Sequence, residues 1–168
     1  MTDLYVSWDE YNRLIEKLAV KIWDSGWHFD AVICLARGGL RVGDVFSRVF
    51  DKPLGVMFTS SYREKAGTVQ STLHISDSLS SAQALPGSKW LLVDDLADSG
   101  ATLQEIIPEI KRRYPQIEEL RSAVIWQKGS SVAVPDYVME VLPTNPWIHQ
   151  PFEEYDHRGP EDLKSRWG

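Results

Sequence analysis

Twice in this 168-residue chain a short apolar run breaks into a turn of small residues and then into a segment of helical periodicity. Ala31–Leu35 passes through Ala36-Arg37-Gly38-Gly39 into Leu40, Val45, Phe46 and Val49. Trp90–Val93 passes through Asp94-Asp95-Leu96-Ala97-Asp98-Ser99-Gly100-Ala101 into a helix expected from about Thr102 to Arg113. Strands covered on both faces read as continuous apolar runs, and strands joined through helices lie parallel. Pro53–Phe58 and Leu120–Ile125 continue the alternation as further strands. The pattern predicts one α/β domain over residues 1–168, a mostly parallel twisted sheet flanked by helices. Ligands of such sheets bind at the carboxyl ends of the strands, where both small-residue turns fall.

The remaining segments attach to that frame. Ser7-Trp8-Asp9-Glu10 has the form of a capping box, and Tyr11, Leu14, Ile15, Leu18, Ala19 and Ile22 follow at helical spacing, ending near Gly26. Thr59–Ser81 is polar, rich in Ser and Thr and without helical period, and reads as a mobile hairpin or lid. Pro108 falls inside the helix expected after Thr102, where a missing N–H predicts a kink. The stretch from Val134 to Gly168 carries Pro, Trp and charge with no clear period, and is expected to form a small C-terminal hood and tail.

Eighteen Lys and Arg against 24 Asp and Glu give a net charge of −6, which argues against broad charge-driven binding to nucleic acid or anionic membrane. Any phosphate must therefore be recognised locally. The single cysteine, Cys34, sits in an apolar run and reads as a small core residue. No apolar run approaches the roughly 20 residues that span a bilayer, and the N-terminus lacks a basic region followed by an apolar core, so a cytoplasmic location is expected. His28, His74 and His157 are scattered without metal-ligand spacing, and no zinc site is expected.

The run Leu91–Thr102 is the richest in chemistry. A strand-to-helix turn aims backbone N–H groups and hydroxyls at one point, and carboxylates beside it suit a ligand carrying a phosphate with a ribose or a metal. An Asp-Asp pair after a strand also occurs in nucleotide hydrolases, but no G-x-x-x-x-G-K-[ST] loop accompanies it here. Plain turn and cap chemistry is the remaining alternative for Asp, Ser and Gly. Read whole, the run resembles the phosphoribosyl-pyrophosphate (PRPP) signature of the type I phosphoribosyltransferases. The resemblance implies that Asp98, Ser99, Gly100, Ala101 and Thr102 cradle the ribose 5-phosphate. It implies too that Asp94 and Asp95 face the ribose hydroxyls and an associated Mg²⁺, as its protein ligands.

Ala36, Arg37, Gly38 and Gly39 stand one strand-helix unit earlier, where that family keeps its pyrophosphate loop. Glycines let backbone amides approach a pyrophosphate closely, and an arginine adds charge-assisted bonds. The resemblance implies a cis Ala36–Arg37 peptide. Ser61-Tyr62 resembles the Ser-Tyr that opens the family's mobile catalytic loop, although Arg63–Leu85 is not a close match. Lys128 follows a predicted strand, and Trp147-Ile148-His149-Gln150-Pro151-Phe152 resembles the base-binding segment of bacterial xanthine-guanine phosphoribosyltransferases. By that resemblance Lys128 donates to a purine O6, Trp147 stacks on the base, and Ile148 and His149 meet its edge. An ammonium has donors and no acceptor, so it favours a 6-oxo group over the amino group of adenine. His149 stands where a xanthine-guanine enzyme carries an acidic residue, which leaves the choice among guanine, xanthine and hypoxanthine open.

The expected activity is a Mg²⁺-dependent, purine-salvage transfer of phosphoribose from PRPP to a 6-oxopurine, with Asp98 as the general base carried over from the motif. The family also implies a homodimer or homotetramer. Two alternatives stand beside this expectation: a PRPP- or nucleotide-sensing regulator of the same fold, and a transferase for another base.

Overall fold

A computed structural model describes residues 3–61 and 73–168. In chain order the elements are β1 (Leu4–Tyr5), α1 (Trp8–Asp24), β2 (Ala31–Ala36), α2 (Leu40–Val49), β3 (Leu54–Ser61), β4 (Leu73–Ile75) and β5 (Ser80–Ser81). They continue with β6 (Lys89–Ala97), α3 (Ala101–Arg113), β7 (Glu119–Lys128), β8 (Tyr137–Leu142), β9 (Ile148–His149), a 3₁₀ helix (Pro151–Asp156) and α4 (Pro160–Trp167). The main sheet runs β4-β3-β2-β6-β7-β8, with β5 also on β3. Its β3-β2-β6-β7-β8 portion is parallel throughout, and β4 and β5 join β3 antiparallel.

Alternating side chains divide the core between the two faces. Val32 and Cys34 of β2 point with Leu91 and Val93 of β6 toward a cluster containing Leu14, Leu18 and Ile22 of α1 and Val42 and Phe46 of α2. Ala31, Ile33 and Leu35 point with Leu92 toward Leu103, Ile106 and Ile110 of α3. Every residue of β2 is buried, which is why the sequence shows an apolar run rather than alternation. The Cys34 thiol is pushed up to about 12, first by burial and then by the charge of Asp94, and it serves as core. α1 starts where Ser7 Oγ accepts from the Glu10 backbone N–H at 3.2 Å. Its C-terminal end is tied by Ser25 Oγ, which donates to the Ile22 carbonyl, and Gly26 follows at φ +73°.

Several expectations shift. β6 does not stop at Val93 but runs on through Asp94 and Asp95 to Ala97, because its backbone ladder with β7 continues at Asp94↔Val124, Leu96↔Trp126 and Ala97↔Gln127. Likewise β7 extends to Lys128, which becomes a strand residue rather than a loop residue. α3 is one continuous helix across Pro108, whose side is exposed. The stretch from Val134 is not wholly irregular: Tyr137–Leu142 forms the parallel edge strand β8, and residues 160–167 form α4. Only Tyr137 of β8 is fully buried, which explains why no apolar period announced the strand. The expected hairpin has its arms in β3 and β4, paired from Thr59↔Ile75 to Ser61↔Leu73, while Tyr62 lies outside the described residues. Among the described residues no helix is long and apolar enough to cross a membrane.

Phe46 is fully buried and packs edge-on to Phe50, fixing α2 and with it the loop that precedes it. Phe46→Ala should cost about 3–5 kcal/mol. Urea unfolding should show this as a lower midpoint with an unchanged slope.

Candidate active site

The chain leaves β2 for β3 on one side of the sheet and returns to β6, β7 and β8 on the other, so β2 and β6 flank the point where strand order reverses. Crevices at such points receive ligands in open α/β sheets. The two small-residue turns identified from sequence lie at this end. The Ala36–Arg37 peptide is cis, and the Gly39 N–H donates to the Leu35 carbonyl at 2.8 Å. A Cβ on Gly38 would stand 2.4 Å from Asp95 Oδ1, and one on Gly39 would stand 2.7 Å from the Val93 carbonyl. Glycine is therefore required for this loop to lie directly on the carboxylate pair of β6.

Beyond Ala97 the chain turns through Asp98-Ser99-Gly100 into α3. Gly100 sits at φ +81°, and a Cβ there would meet the Ala133 backbone nitrogen at 2.4 Å. Ser99 Oγ accepts from the Ala101 N–H, and the Ser99 carbonyl accepts from the Val132 N–H at 2.9 Å. Asp94, Asp98, Ser99, Gly100 and Thr102 border a small cleft of about 80 Å³ at the helix start. The unpaired N–H groups of a first helical turn suit an anion there.

Lys128, at the end of β7, reaches across to the same turn. Its Nζ lies 3.2 Å from Asp98 Oδ1; the lysine side chain is 8% exposed and the aspartate 63%. A buried cation is thus held beside a carboxylate that solvent or a ligand can reach. Asp94 and Asp95 are the second electrostatic feature. The Asp95 N–H donates to Asp94 Oδ1 at 2.9 Å, and Gln150 Nε2 donates to Asp95 Oδ2 at 2.6 Å. The Asp94 carboxyl is held well above the ordinary carboxylate range, first by burial and then by the charge of Asp95.

On the other side of Asp95 a cleft of about 470 Å³ is lined by Arg37, Gly38, Arg41, Gln150, Phe152 and Asp156. Arg37 is largely exposed, its Nη2 3.6 Å from Asp156 Oδ1, while the Arg41 guanidinium lies over the Phe152 ring at 4.5 Å. Trp147, at 61% exposure, stands just before β9 with its ring open to solvent. Ile148 differs: its side chain is buried in the core that α1 covers, so only its backbone is available to a ligand. The Trp147 and His149 carbonyls already accept from the Leu4 and Val6 N–H groups of the β1 segment. The His149 ring stacks on Tyr5 at 4.2 Å and is hydrogen-bonded to Asp3 Oδ2 at 2.9 Å.

Of the residues singled out in the sequence, Asp94, Asp95, Asp98–Thr102, Ala36–Gly39 and Lys128 gather at one end of the main sheet, while Trp147 stands before β9, a strand of the separate two-stranded sheet with β1. The sequence reading missed Asp3, Tyr5, Arg41 and Gln150. Gln150 lay within the quoted Trp-Ile-x-Gln-Pro segment, which was its only signal; β1, two residues long, carries no period at all. Ser61 ends β3, and Tyr62 lies outside the described residues. Among the described residues no group of three or more His, Cys, Asp or Glu is placed to hold a metal ion on its own.

Comparisons with known proteins point the same way. The family model described as "Phosphoribosyl transferase domain" matches residues 7–157. A xanthine-guanine phosphoribosyltransferase of Desulfotalea psychrophila is 28% identical over 161 residues, covering 91% of each chain. The solved purine phosphoribosyltransferase of Pyrococcus horikoshii superposes with a TM-score of 0.71 at 29% identity, over 90% of this chain and 95% of that one. The xanthine-guanine-hypoxanthine phosphoribosyltransferase of Helicobacter pylori does so with a TM-score of 0.75 at 24% identity, over 98% and 99%, a likeness of fold.

The raised Asp94 carboxyl sets a pH dependence. A carboxyl raised in the folded state favours folding most when it is protonated, and that advantage is lost as pH rises from the unfolded group's ordinary range through the folded value. Asn keeps the oxygen that accepts from Asp95 and cannot ionise. Asp94→Asn should therefore raise the melting temperature of the ligand-free protein at neutral pH and flatten its decline between acid and neutral pH, as read by calorimetry.

Proposed function

The chain belongs to the phosphoribosyl transferase domain family, and on that premise we propose that it transfers 5-phosphoribose from PRPP to a 6-oxopurine in purine salvage, releasing pyrophosphate. The observation that carries this reading is the 3.2 Å pairing of Lys128 Nζ with Asp98 Oδ1. O6 and N7 are neighbouring atoms on one edge of a purine. A cation beside a carboxylate matches an edge that presents a carbonyl at O6 and a proton at N7. Adenine offers an amino group to the lysine instead, a donor meeting a donor. The names of the relatives, which act on xanthine, guanine or purines, agree with this choice.

The other residues take these roles in the same reading. The N–H groups of the 99–102 turn and the hydroxyls of Ser99 and Thr102 receive the 5-phosphate. Asp94 and Asp95 face the ribose hydroxyls. Arg37, with the amides of Gly38 and Gly39, takes the charge that builds on the leaving pyrophosphate. Trp147 stacks on the base, and Ile148 contributes its backbone beside His149. As N9 of the purine bonds to C1′, the bond from C1′ to the pyrophosphate oxygen breaks and its electron pair leaves with pyrophosphate. Asp98 accepts the N7 proton in the same step.

A Mg²⁺ fits these residues. Two adjacent carboxylates, one of them resisting ionisation because it is buried beside the charge of the other, provide hard oxygen donors, and one or two carboxylates plus substrate oxygens is how Mg²⁺ is commonly held. Asp94 and Asp95 would hold the ion, which would supply neutralisation of the charge that develops on the pyrophosphate.

Incubating the protein with PRPP and Mg²⁺ plus guanine, xanthine, hypoxanthine, adenine or uracil in turn should yield pyrophosphate and nucleotide with the 6-oxopurines alone. Absence of product with every base would replace this reading by that of a ligand-sensing regulator. Asp98→Asn should lower kcat by about 10²–10⁴-fold with little change in the KM for PRPP, because a positioned base contributes in the transition state. Lys128→Met should raise the KM for a 6-oxopurine by about 10–100-fold, the loss expected for one hydrogen bond from a charged donor.

A further inference from the structure

Gln150 is one of a small set of buried polar residues, 6% exposed, and its amide is used on one side only. Nε2 donates to Asp95 Oδ2 at 2.6 Å, whereas Oε1 is buried with no partner. A buried acceptor left unpaired opposes folding, which sets this amide apart from the apolar side chains that would fill the same space. What it does accomplish lies at Asp95. Gln150 holds Asp95 Oδ2, and the Gly38 backbone runs so near the same carboxylate that a Cβ there would fall within 3 Å of both its oxygens. Gln150 also closes the segment that begins with Trp147, and it joins that segment to a strand residue 55 positions away.

We propose that Gln150 is a positioning residue for the transfer reaction: through its Nε2–H bond it orients Asp95 toward the ribose. This rests on the transferase reading above, and it concerns PRPP rather than the base. An isosteric side chain without the donor keeps the packing and releases the carboxylate. PRPP binding should then weaken, while the base contacts made by Lys128 and Trp147 remain.

Titration calorimetry with PRPP on wild type, Gln150→Met, Asp95→Ala and the double variant tests the proposal, with KM for PRPP and for the purine measured alongside. Gln150→Met is expected to weaken PRPP binding about tenfold, the loss of one charge-assisted hydrogen bond. The KM for the purine should stay within about twofold, and the ligand-free melting temperature within about 2–4 °C. In the Asp95→Ala background the same change should add less than about twofold, because a residue that acts through another has nothing left to act on. Gln150→Glu, of equal size and without the amide donor, should reproduce the loss if the Met variant folds poorly. In wild-type protein the Gln150 side-chain amide protons should show slowed exchange by NMR, and Asp95→Ala should abolish it. Unchanged PRPP affinity in both Gln150 variants, or losses at Gln150 and Asp95 that multiply, would overturn the inference. A wild-type protein that binds no PRPP would instead overturn the transferase reading, which the unaltered chain tests by itself.

Discussion

The parallel ladder between β2 and β6 is the constraint on which the site depends. Ala31↔Trp90 through Cys34↔Val93 fixes the register of two strands that belong to different halves of the chain. Since both strands run the same way, the turns that follow them emerge at one end. The Gly38-Gly39 loop then descends onto Asp94 and Asp95 at distances no side chain would tolerate. Full burial of β2 on both faces holds the ladder in place, because a slip of one residue would exchange its two apolar sets between the helical layers. The core and the site are thus one arrangement: what α1, α2 and α3 cover decides where the carboxylates stand.

On that platform the charges are arranged for occupancy rather than for the empty protein. Asp94 resists ionisation beside Asp95, and Lys128 is buried with an exposed carboxylate as its counter-charge. Both features make the ligand-free chain less stable than an apolar design would be. In the transferase reading proposed above, a substrate that brings phosphate, ribose hydroxyls and a purine edge would supply partners to these groups, so that what costs the free protein stability would contribute to affinity. Stability and binding would therefore be opposed at these positions.

What the sequence made legible follows from the range of the forces involved. β2, α2, β6 and α3 were readable because double burial writes continuous apolar runs and because Gly38, Gly39 and Gly100 mark turns. Strand ends were less so: a backbone ladder pays no regard to side-chain polarity, and it carried β6 across Asp94 and Asp95 and β7 out to Lys128. β8 lies at the sheet edge with half-exposed side chains and left no period. Among site residues, Asp98 and Lys128 could be named singly, but their contact joins the turn after β6 to the end of β7 and no local spacing encodes it. Gln150 meets a partner on β6, and Asp3 meets His149 across nearly the whole chain, so both depended on the folded topology.

The link between the turn after β6 and the loop after Lys128 bears on how such a protein can be rebuilt. Val132 donates to Ser99, Gln104 Nε2 donates to the Val132 carbonyl, and Gly100 is packed against Ala133. Residues 98–104 and 128–133 are therefore a single transplantable module, not two. The 145–149 segment is tied in as well, since the Ser130 N–H donates to Asn145 Oδ1 at 3.2 Å; exchanging Lys128 with its loop means importing the matching turn, or the two halves of the graft will not seat.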